Sequence, residues 1–328
     1  MNTVESYLDL DGLTHVLNQH YDLRITHIHL HREMIGHVYI AASDTRKYVL
    51  KLYRPFHSEQ ALQSVQIIKF LAAHDYPVVS IIPTESDEQY VWFHITGKRC
   101  IGVLFQYAGG EEPDIDQDIV EIGEQIAQLH GVMEKYEHPL LRRGKDFYID
   151  RCTRILKAVG YERSKTRCLE QYGELLWESM QDLPLGFCHG DLHSGNMLKN
   201  DVGKYVLFDF DVAGQAAAMI DAATLSDATN FNRLDPLAYN KTLARFERFY
   251  RGYSRHRTLS VQEVEAIFSF IAIRHYELIA TITECQGLES LDSAFLDEQT
   301  NWLLAWEQLS NTSSLDLSRC CPVNKNCN

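Results

Sequence analysis

The sequence predicts an α+β fold in two parts: an antiparallel β-sheet with one helix over roughly residues 1 to 105, and a mainly helical part from 111 to about 312. Three observations predict it. Short apolar runs alternating with turn residues crowd the first hundred positions, as strands joined by tight turns do. An apolar strand then runs into Ala108-Gly109-Gly110, a break that suits a connector over 106 to 110. Beyond the break, apolar residues recur at steps of three and four, the period of helices that bury one face. With 328 residues the chain is long enough for two lobes, each with its own core.

Leu8, Leu10, Leu13, Val16 and Leu17 give residues 4 to 20 a helical spacing. In the next run, His27, His29 and His31 occupy one face of an alternating strand and apolar residues the other. A solvated strand face is the ordinary reading, and a metal site the alternative. The segment from His31 to Pro55 reads as two strands joined around Ser43-Asp44. Its first turn, Glu33 to Gly36, stands where a loop could cover a phosphate, with Gly36 permitting close backbone approach. Lys51 is a single cation inside Val49-Leu50-Lys51-Leu52, and a buried ammonium requires an anion unless it reaches solvent from an edge strand. A helix follows from Ser58 to Ala73 and is ended by Tyr76-Pro77-Val78. Strands are then expected around Ile81, Tyr90 to Ile95 and Cys100 to Gln106. The backbone groups near Gln106 and Tyr107 suit an adenine contact, although a plain strand-to-loop boundary would read alike.

Ile119, Ile122, Ile126, Leu129 and Met133 define a helix over 118 to 133, closed by Leu129-His130-Gly131. Residues 142 to 180 are polar and helical in parts. After Gly214, the run Ala216 to Ala223 should turn the chain into helices, with others at Tyr239 to Tyr253, Val261 to Cys285 and Ser293 to Leu309. Their aromatics, Phe246, Phe249, Tyr250, Tyr253, Phe268, Phe270, Tyr276, Trp302 and Trp306, have the spacing of core residues. Arg274, His275, Tyr276 and Glu277 interrupt an apolar helix, so some of them should face a cleft. Residues 313 to 328 read as a disordered tail that carries Cys320, Cys321 and Cys327.

Chemistry concentrates between Cys188 and Gly214. Asp191 and Asp209 are separated by Asn196 and by an apolar run, Tyr205-Val206-Leu207-Phe208, that reads as a short buried strand. Gly190 and Gly195 exclude a continuous helix and let the backbone turn, so that Asp191 and Asn196 can face one point. The residue types suit phosphoryl transfer: one carboxylate receives a hydroxyl proton, while an amide oxygen and a second carboxylate hold Mg²⁺ against nucleotide phosphates. Cys188, His189 and His193 are alternative zinc ligands, but the glycines break the helix that would align the two histidines. Asp211 can join the metal shell, and Asp221 is better suited to anchoring the segment by hydrogen bonds.

The pattern H-G-D-x-H-x-x-N, followed by a strand and Asp209-Phe210, resembles the signature of the aminoglycoside phosphotransferase-like kinases, a superfamily that includes homoserine and choline kinases. It is similar to the protein-kinase set H-R-D-x-x-x-x-N and D-F-G, except for His193 between Asp and Asn and Asp211 in place of Gly. The resemblance implies a two-lobed protein-kinase-like fold, with an antiparallel β-sheet N-lobe and a mainly helical C-lobe. It implies Asp191 as catalytic base, His189 as the residue orienting its loop, Asn196 and Asp209 as Mg²⁺ ligands, and Lys51 on the α/β-phosphates of ATP. Lys51-Leu52-Tyr53-Arg54-Pro55 further resembles the bacterial stress response kinase branch. The helix after Lys51 departs from the pattern. Its middle should supply a Glu to pair with the lysine, yet Gln63, Ser64, Val65 and Gln66 stand there, and Glu59 lies a turn too early. Glu59 substitutes, a polar residue does, or the lysine is held differently.

The 31 Lys and Arg against 45 Asp and Glu give a net charge of −14, which disfavours nucleic acid and anionic membranes as partners. No apolar stretch is expected to span a bilayer, and the eight cysteines lack paired C-x-x-C spacing, so the expected setting is the cytoplasm with reduced thiols. The acceptor is expected to be a small-molecule hydroxyl. A protein Ser/Thr acceptor is the alternative, and a nucleotide-binding regulator with little catalysis is the third reading.

Overall fold

The computed structural model describes residues 9–33, 36–95, 97–288 and 291–312. In chain order its regular elements are α1 (Leu10–His20), β1 (His27–Glu33), β2 (His37–Ala42), β3 (Lys47–Leu52), α2 (Ser58–Ala73), β4 (Val91–Ile95), β5 (Lys98–Gln106), α3 (Ile115–Met133), α4 (Arg151–Ala158), α5 (Arg163–Glu178), β6 (Leu185–Cys188), β7 (Met197–Lys199), β8 (Tyr205–Leu207), β9 (Gly214–Ala217), α6 (Met219–Ser226), α7 (Ala238–Tyr253), α8 (Val261–Gln286) and α9 (Ser293–Thr312). They group into two compact units. One holds the chain up to Glu112 together with Met197–Asp211, and the other holds Pro113–Asn196 together with the chain from Val212 on.

In the first unit β1 to β5 make an antiparallel sheet in the order β1-β2-β3-β5-β4. Alternation along β3 turns Tyr48, Leu50 and Leu52 into a core shared with Leu13 and Leu17 of α1, Tyr39 of β2 and Leu104 of β5. Each fully buried leucine there contributes about 1.5–3 kcal/mol relative to exposure. Asp9 caps α1 by accepting from the Asp11 amide at 3.1 Å. The histidine face of β1 differs from strict alternation. A bulge between Leu30 and Arg32 takes His31 out of register, Leu30 is 40% exposed, and only Ile28 of the strand is buried.

Residues 197–211, which the sequence reading placed with the helical part, group with the sheet for a backbone reason. Lys199 exchanges hydrogen bonds with Glu111 at 2.8 and 3.1 Å, and Leu207 donates to Pro77 at 3.0 Å and accepts from Val79 at 3.1 Å. The hairpin β7-β8 is thereby stitched to the strand-like segments on either side of it in that unit.

The second unit is mainly helical. Asp114 caps α3 through the amides of Asp116 and Gln117, and Ile119, Ile122, Ile126, Leu129 and Met133 form its buried face. Close contact between α3 and α7 depends on two glycines. A Cβ on Gly123 would lie 2.2 Å from the Phe249 carbonyl oxygen, and one on Gly252 would lie 1.8 Å from that of Val120. The nine aromatics expected in the core are all buried. Two short strands of this unit were not legible: β6 pairs antiparallel with β9, whose alanines read as the start of a helix.

The expectation that no apolar stretch approaches the span of a bilayer is corrected by α8. It has 26 residues and a mean hydropathy of 1.3 over its most apolar window, enough by length and composition to cross. Yet 72% of that window is buried inside the protein, so its apolarity belongs to a core helix. The helix starts with a capping box between Ser260 and Glu263 and ends before Gly287, whose φ of 87° only glycine adopts readily. Residues 313–328, including Cys320, Cys321 and Cys327, lie outside the described residues.

Candidate active site

Within the first unit, Lys51 points from β3 toward the turn that follows β8. Asp209 begins that turn with φ of 63°, a left-handed conformation that Asp tolerates better than most residues and that re-aims the chain after three strand residues. Lys51 Nζ lies 2.7 Å from Asp209 Oδ1 and 2.7 Å from Asp211 Oδ2. The Tyr53 hydroxyl donates to Asp211 Oδ1 at 3.0 Å. The anion for the buried lysine is therefore this pair of aspartates, and the third possibility left open by the sequence holds. Glu59 is exposed on the first turn of α2, and the middle of that helix buries Gln63 and Ser64.

Burial by itself would push the Lys51 ammonium down, but Asp209 and Asp211 outweigh it and hold the group well above the usual lysine value. Burial pushes the Asp211 carboxyl up, with Lys51 opposing and Asp209 reinforcing the shift. Two carboxylates thus face one ammonium, Lys51 and Asp211 being largely buried and the Asp209 side chain 37% exposed. The cluster's donors are hard carboxylate oxygens, the kind that Mg²⁺ and Ca²⁺ prefer. A divalent cation fits these residues on charge and on donor type.

Within the second unit, β6 delivers His189, Gly190 and Asp191 to a tight loop. Gly190 has φ of 81° and approaches the Val212 carbonyl, where a Cβ would sit at 3.1 Å. Asp221 of α6 is fully buried and anchors the loop: its two oxygens accept from the backbone amides of His189 at 2.8 Å and Gly190 at 2.9 Å. His130, at the end of α3, adds its Nε2 to Asp221 Oδ2 at 3.0 Å, while its Nδ1 meets the Tyr253 hydroxyl at 2.8 Å. With the carboxylate accepting, Nε2 is the donor to Asp221. The sequence reading of Asp221 as an anchor matches this arrangement. The His189 side chain is fully buried, and its backbone amide ties the loop to Asp221.

Asn196 Nδ2 donates to the Asp191 backbone carbonyl at 2.9 Å and to Asp191 Oδ2 at 3.1 Å. Both contacts come from the amide nitrogen, which turns the Asn196 carbonyl oxygen away from Asp191. Arg274 of α8 binds the other oxygen of Asp191 and, with its second prong, Glu277. His193 is half exposed, with Nε2 at 3.9 Å from Asp191 Oδ2. Cys188 is buried with its thiol directed at the Gly214 carbonyl, and burial pushes that thiol far up. It is a protonated packing group, unlike a zinc thiolate. Among the described residues no group of three His, Cys, Asp or Glu side chains is arranged to hold a metal ion, the β1 histidines included.

Three other sequence-selected residues stand in the first unit. Gly36 has a structural reason to lack a side chain, since a Cβ would lie 2.7 Å from the Leu52 carbonyl oxygen. Gln106 and Tyr107 are exposed at the end of β5, but their amides already donate to Ser80 at 2.9 Å and Lys47 at 3.3 Å. Two functional candidates escaped the sequence reading. Tyr53 carries no signal, being one more aromatic at a strand end. Arg274 carried a partial one, as a charge interrupting an apolar helix, without indicating its partner.

The family model of the phosphotransferase enzyme family matches residues 30–259, a span that includes Lys51, Asp191, Asn196, Asp209, Asp211 and Asp221 and ends before Arg274. The chain belongs to the phosphotransferase enzyme family. Among members and relatives, an uncharacterized protein of Synechocystis sp. is 23% identical over 236 residues, covering 67% of this chain and 65% of that protein. A homoserine kinase of Burkholderia lata is 25% identical over 233 residues, covering 66% of this chain and 68% of the kinase. This family member thus spans about two-thirds of the length of these two relatives. Among solved structures, an amicoumacin kinase in complex with AMP-PNP, Ca²⁺ and Ami superposes with a TM-score of 0.74 at 16% identity, over 94% of this chain and 96% of that one. That likeness is one of fold: an antiparallel sheet joined to a mainly helical part.

Proposed function

We propose that this chain is a kinase that transfers the γ-phosphoryl group of Mg·ATP to a hydroxyl group of a small molecule. One observation carries the reading. Lys51 is held between Asp209 and Asp211, two hard carboxylates beside one ammonium, an arrangement suited to a divalent cation and the phosphates it accompanies. Lys51 neutralises phosphate charge, and Asp209, Asp211 and the Asn196 amide oxygen would hold the metal. When bound, Mg²⁺ supplies charge neutralisation of the phosphates. Asp191 takes or orients the proton of the attacking hydroxyl, while Asp221 fixes the loop that carries it. Adenine is met near Gln106 and Tyr107 through groups other than their amide hydrogens, which the sheet already uses.

The small-molecule acceptor is favoured by the family and by relatives that phosphorylate homoserine or bind amicoumacin. The reading as an inactive regulator rested on the missing helix carboxylate, and the aspartate partners of Lys51 weaken that motive. The test is label transfer from γ-labelled ATP and Mg²⁺ into a bacterial cell extract, with products separated by size. Label is expected in small molecules, and absent with Asp209→Asn. Asp191→Asn is expected to lower turnover about 10²–10⁴-fold while nucleotide binding survives. Label confined to macromolecules would replace the small-molecule acceptor with a protein one, and unchanged turnover in Asp191→Asn would remove that residue from the mechanism.

A further inference from the structure

We infer that Arg274 is a positioning residue for Asp191, setting from α8 the orientation of the carboxylate that meets the acceptor hydroxyl. The inference rests on the phosphotransfer reading above. The Asp191 side chain is 27% exposed, so packing alone does not fix its torsions. Two neighbours do. Asn196, five residues on, holds Oδ2. Arg274, eighty-three residues on, holds Oδ1 through Nη2.

The second contact is built so that it cannot follow Asp191 if the carboxylate turns. Arg274 Nη1 is tied to Glu277 Oε2, one turn along the same helix, and the Glu277 side chain is only 3% exposed. Glu277 Oε1 accepts from the Thr281 hydroxyl at 2.6 Å, Thr281 Oγ1 accepts from Arg151 Nη2 at 2.8 Å, and Arg151 pairs with Glu284 at 3.0 Å. The guanidinium is thereby fixed to both α8 and α4 before it reaches Asp191. A planar fork with two prongs at a set angle transmits orientation, where a lysine ammonium would supply charge alone. Glu277 by itself neutralises Arg274, so the prong on Asp191 is not needed to satisfy the arginine's charge. Each Asp191 oxygen accepts one of these hydrogen bonds and keeps a lone pair for the substrate hydroxyl.

The test combines turnover with structure. Arg274→Gln is expected to lower kcat about 10²-fold with the KM for ATP within twofold, and Arg274→Lys to recover only part of the loss. In an Asp191→Asn background, Arg274→Gln is expected to have no further effect, because the group it positions is gone. An equal fold-loss in both backgrounds would assign Arg274 a merely structural role, and full kcat in Arg274→Gln would overturn the inference. Should Arg274→Gln fail to fold around an unpaired Glu277, the double change Arg274→Met with Glu277→Gln removes both charges together and is read the same way. Crystal structures of the foldable variant and of Arg274→Lys separate this inference from the functional reading. A turned Asp191 carboxylate in the former, with the native orientation kept in the latter, supports positioning. An Asp191 unmoved in the former overturns it whether or not the chain transfers phosphate.

Discussion

Tyr53 and Asp211 illustrate how one residue changes the meaning of its neighbours. Asp211 stands where the protein-kinase D-F-G set has glycine, and here one of its oxygens holds Lys51 while the other accepts from the Tyr53 hydroxyl. Removing that hydroxyl leaves the ring's burial intact and frees Asp211 to turn, so Lys51 loses part of its guidance. Losing a hydrogen bond of about 1 kcal/mol corresponds to a factor of about 5. Tyr53→Phe is therefore expected to raise the KM for ATP about 5-fold with kcat little changed, measured in steady-state kinetics. An unchanged KM would show that Asp211 holds Lys51 without help. The phenol gave no advance signal, because an apolar ring ending a strand reads as core whatever its hydroxyl touches. Asp191, Asn196, Asp209 and Lys51 were legible, since each is a polar type at a spacing that ordinary turns or strands do not require.

Among elements, the α3–α7 pair depends on backbone proximity. Gly252 lies where any side chain would enter the Val120 carbonyl. Inserting a methyl group into such a contact costs about 1–3 kcal/mol, and rigid backbone on the facing helix places this site at the upper end. Gly252→Ala is expected to lower Tm by several degrees in calorimetry while leaving the KM for ATP unchanged, because neither helix carries Lys51 or its aspartate partners. An unchanged Tm would mean that the helices separate without cost. Helices α2, α3, α7, α8 and α9 were legible from their periods, long enough for three or more turns to repeat a pattern. Strands β6, β7 and β9 have three or four residues each, too few for a period of two to stand out, and the alanines of β9 favour helix by local preference. Pairing with β6 overrides that preference.

The stability of the whole molecule carries a pH dependence from inside α8. His275 is 3% exposed and stacks on Trp302 with ring centroids 3.8 Å apart. Burial pushes its imidazole down to about 3. The folded chain keeps His275 neutral, while the unfolded chain takes up a proton below a pH of about 6.5. The stability this contributes is complete above that pH, declines as the pH falls, and is exhausted near 3. The slope approaches about 1.4 kcal/mol per pH unit between those limits. In urea titrations, wild type is expected to lose stability between pH 6 and 4 more steeply than His275→Phe, which keeps the aromatic stack. Parallel losses would rule out His275 as the source.

At the same scale, the amino-acid sequence by itself determined the α+β class, the order of the long elements, the family and the residue types of the candidate site. Those features depend on local periodicity, turn chemistry and typed spacing, all of which act over a few neighbouring residues. Only the tertiary structure decided that residues 197–211 belong with the sheet, that Lys51 is held by Asp209 and Asp211, and that Arg274 grips Asp191. Each of these joins groups 80 or more positions apart through one or two contacts, and such pairings depend on how the elements fold together, which local chemistry does not encode.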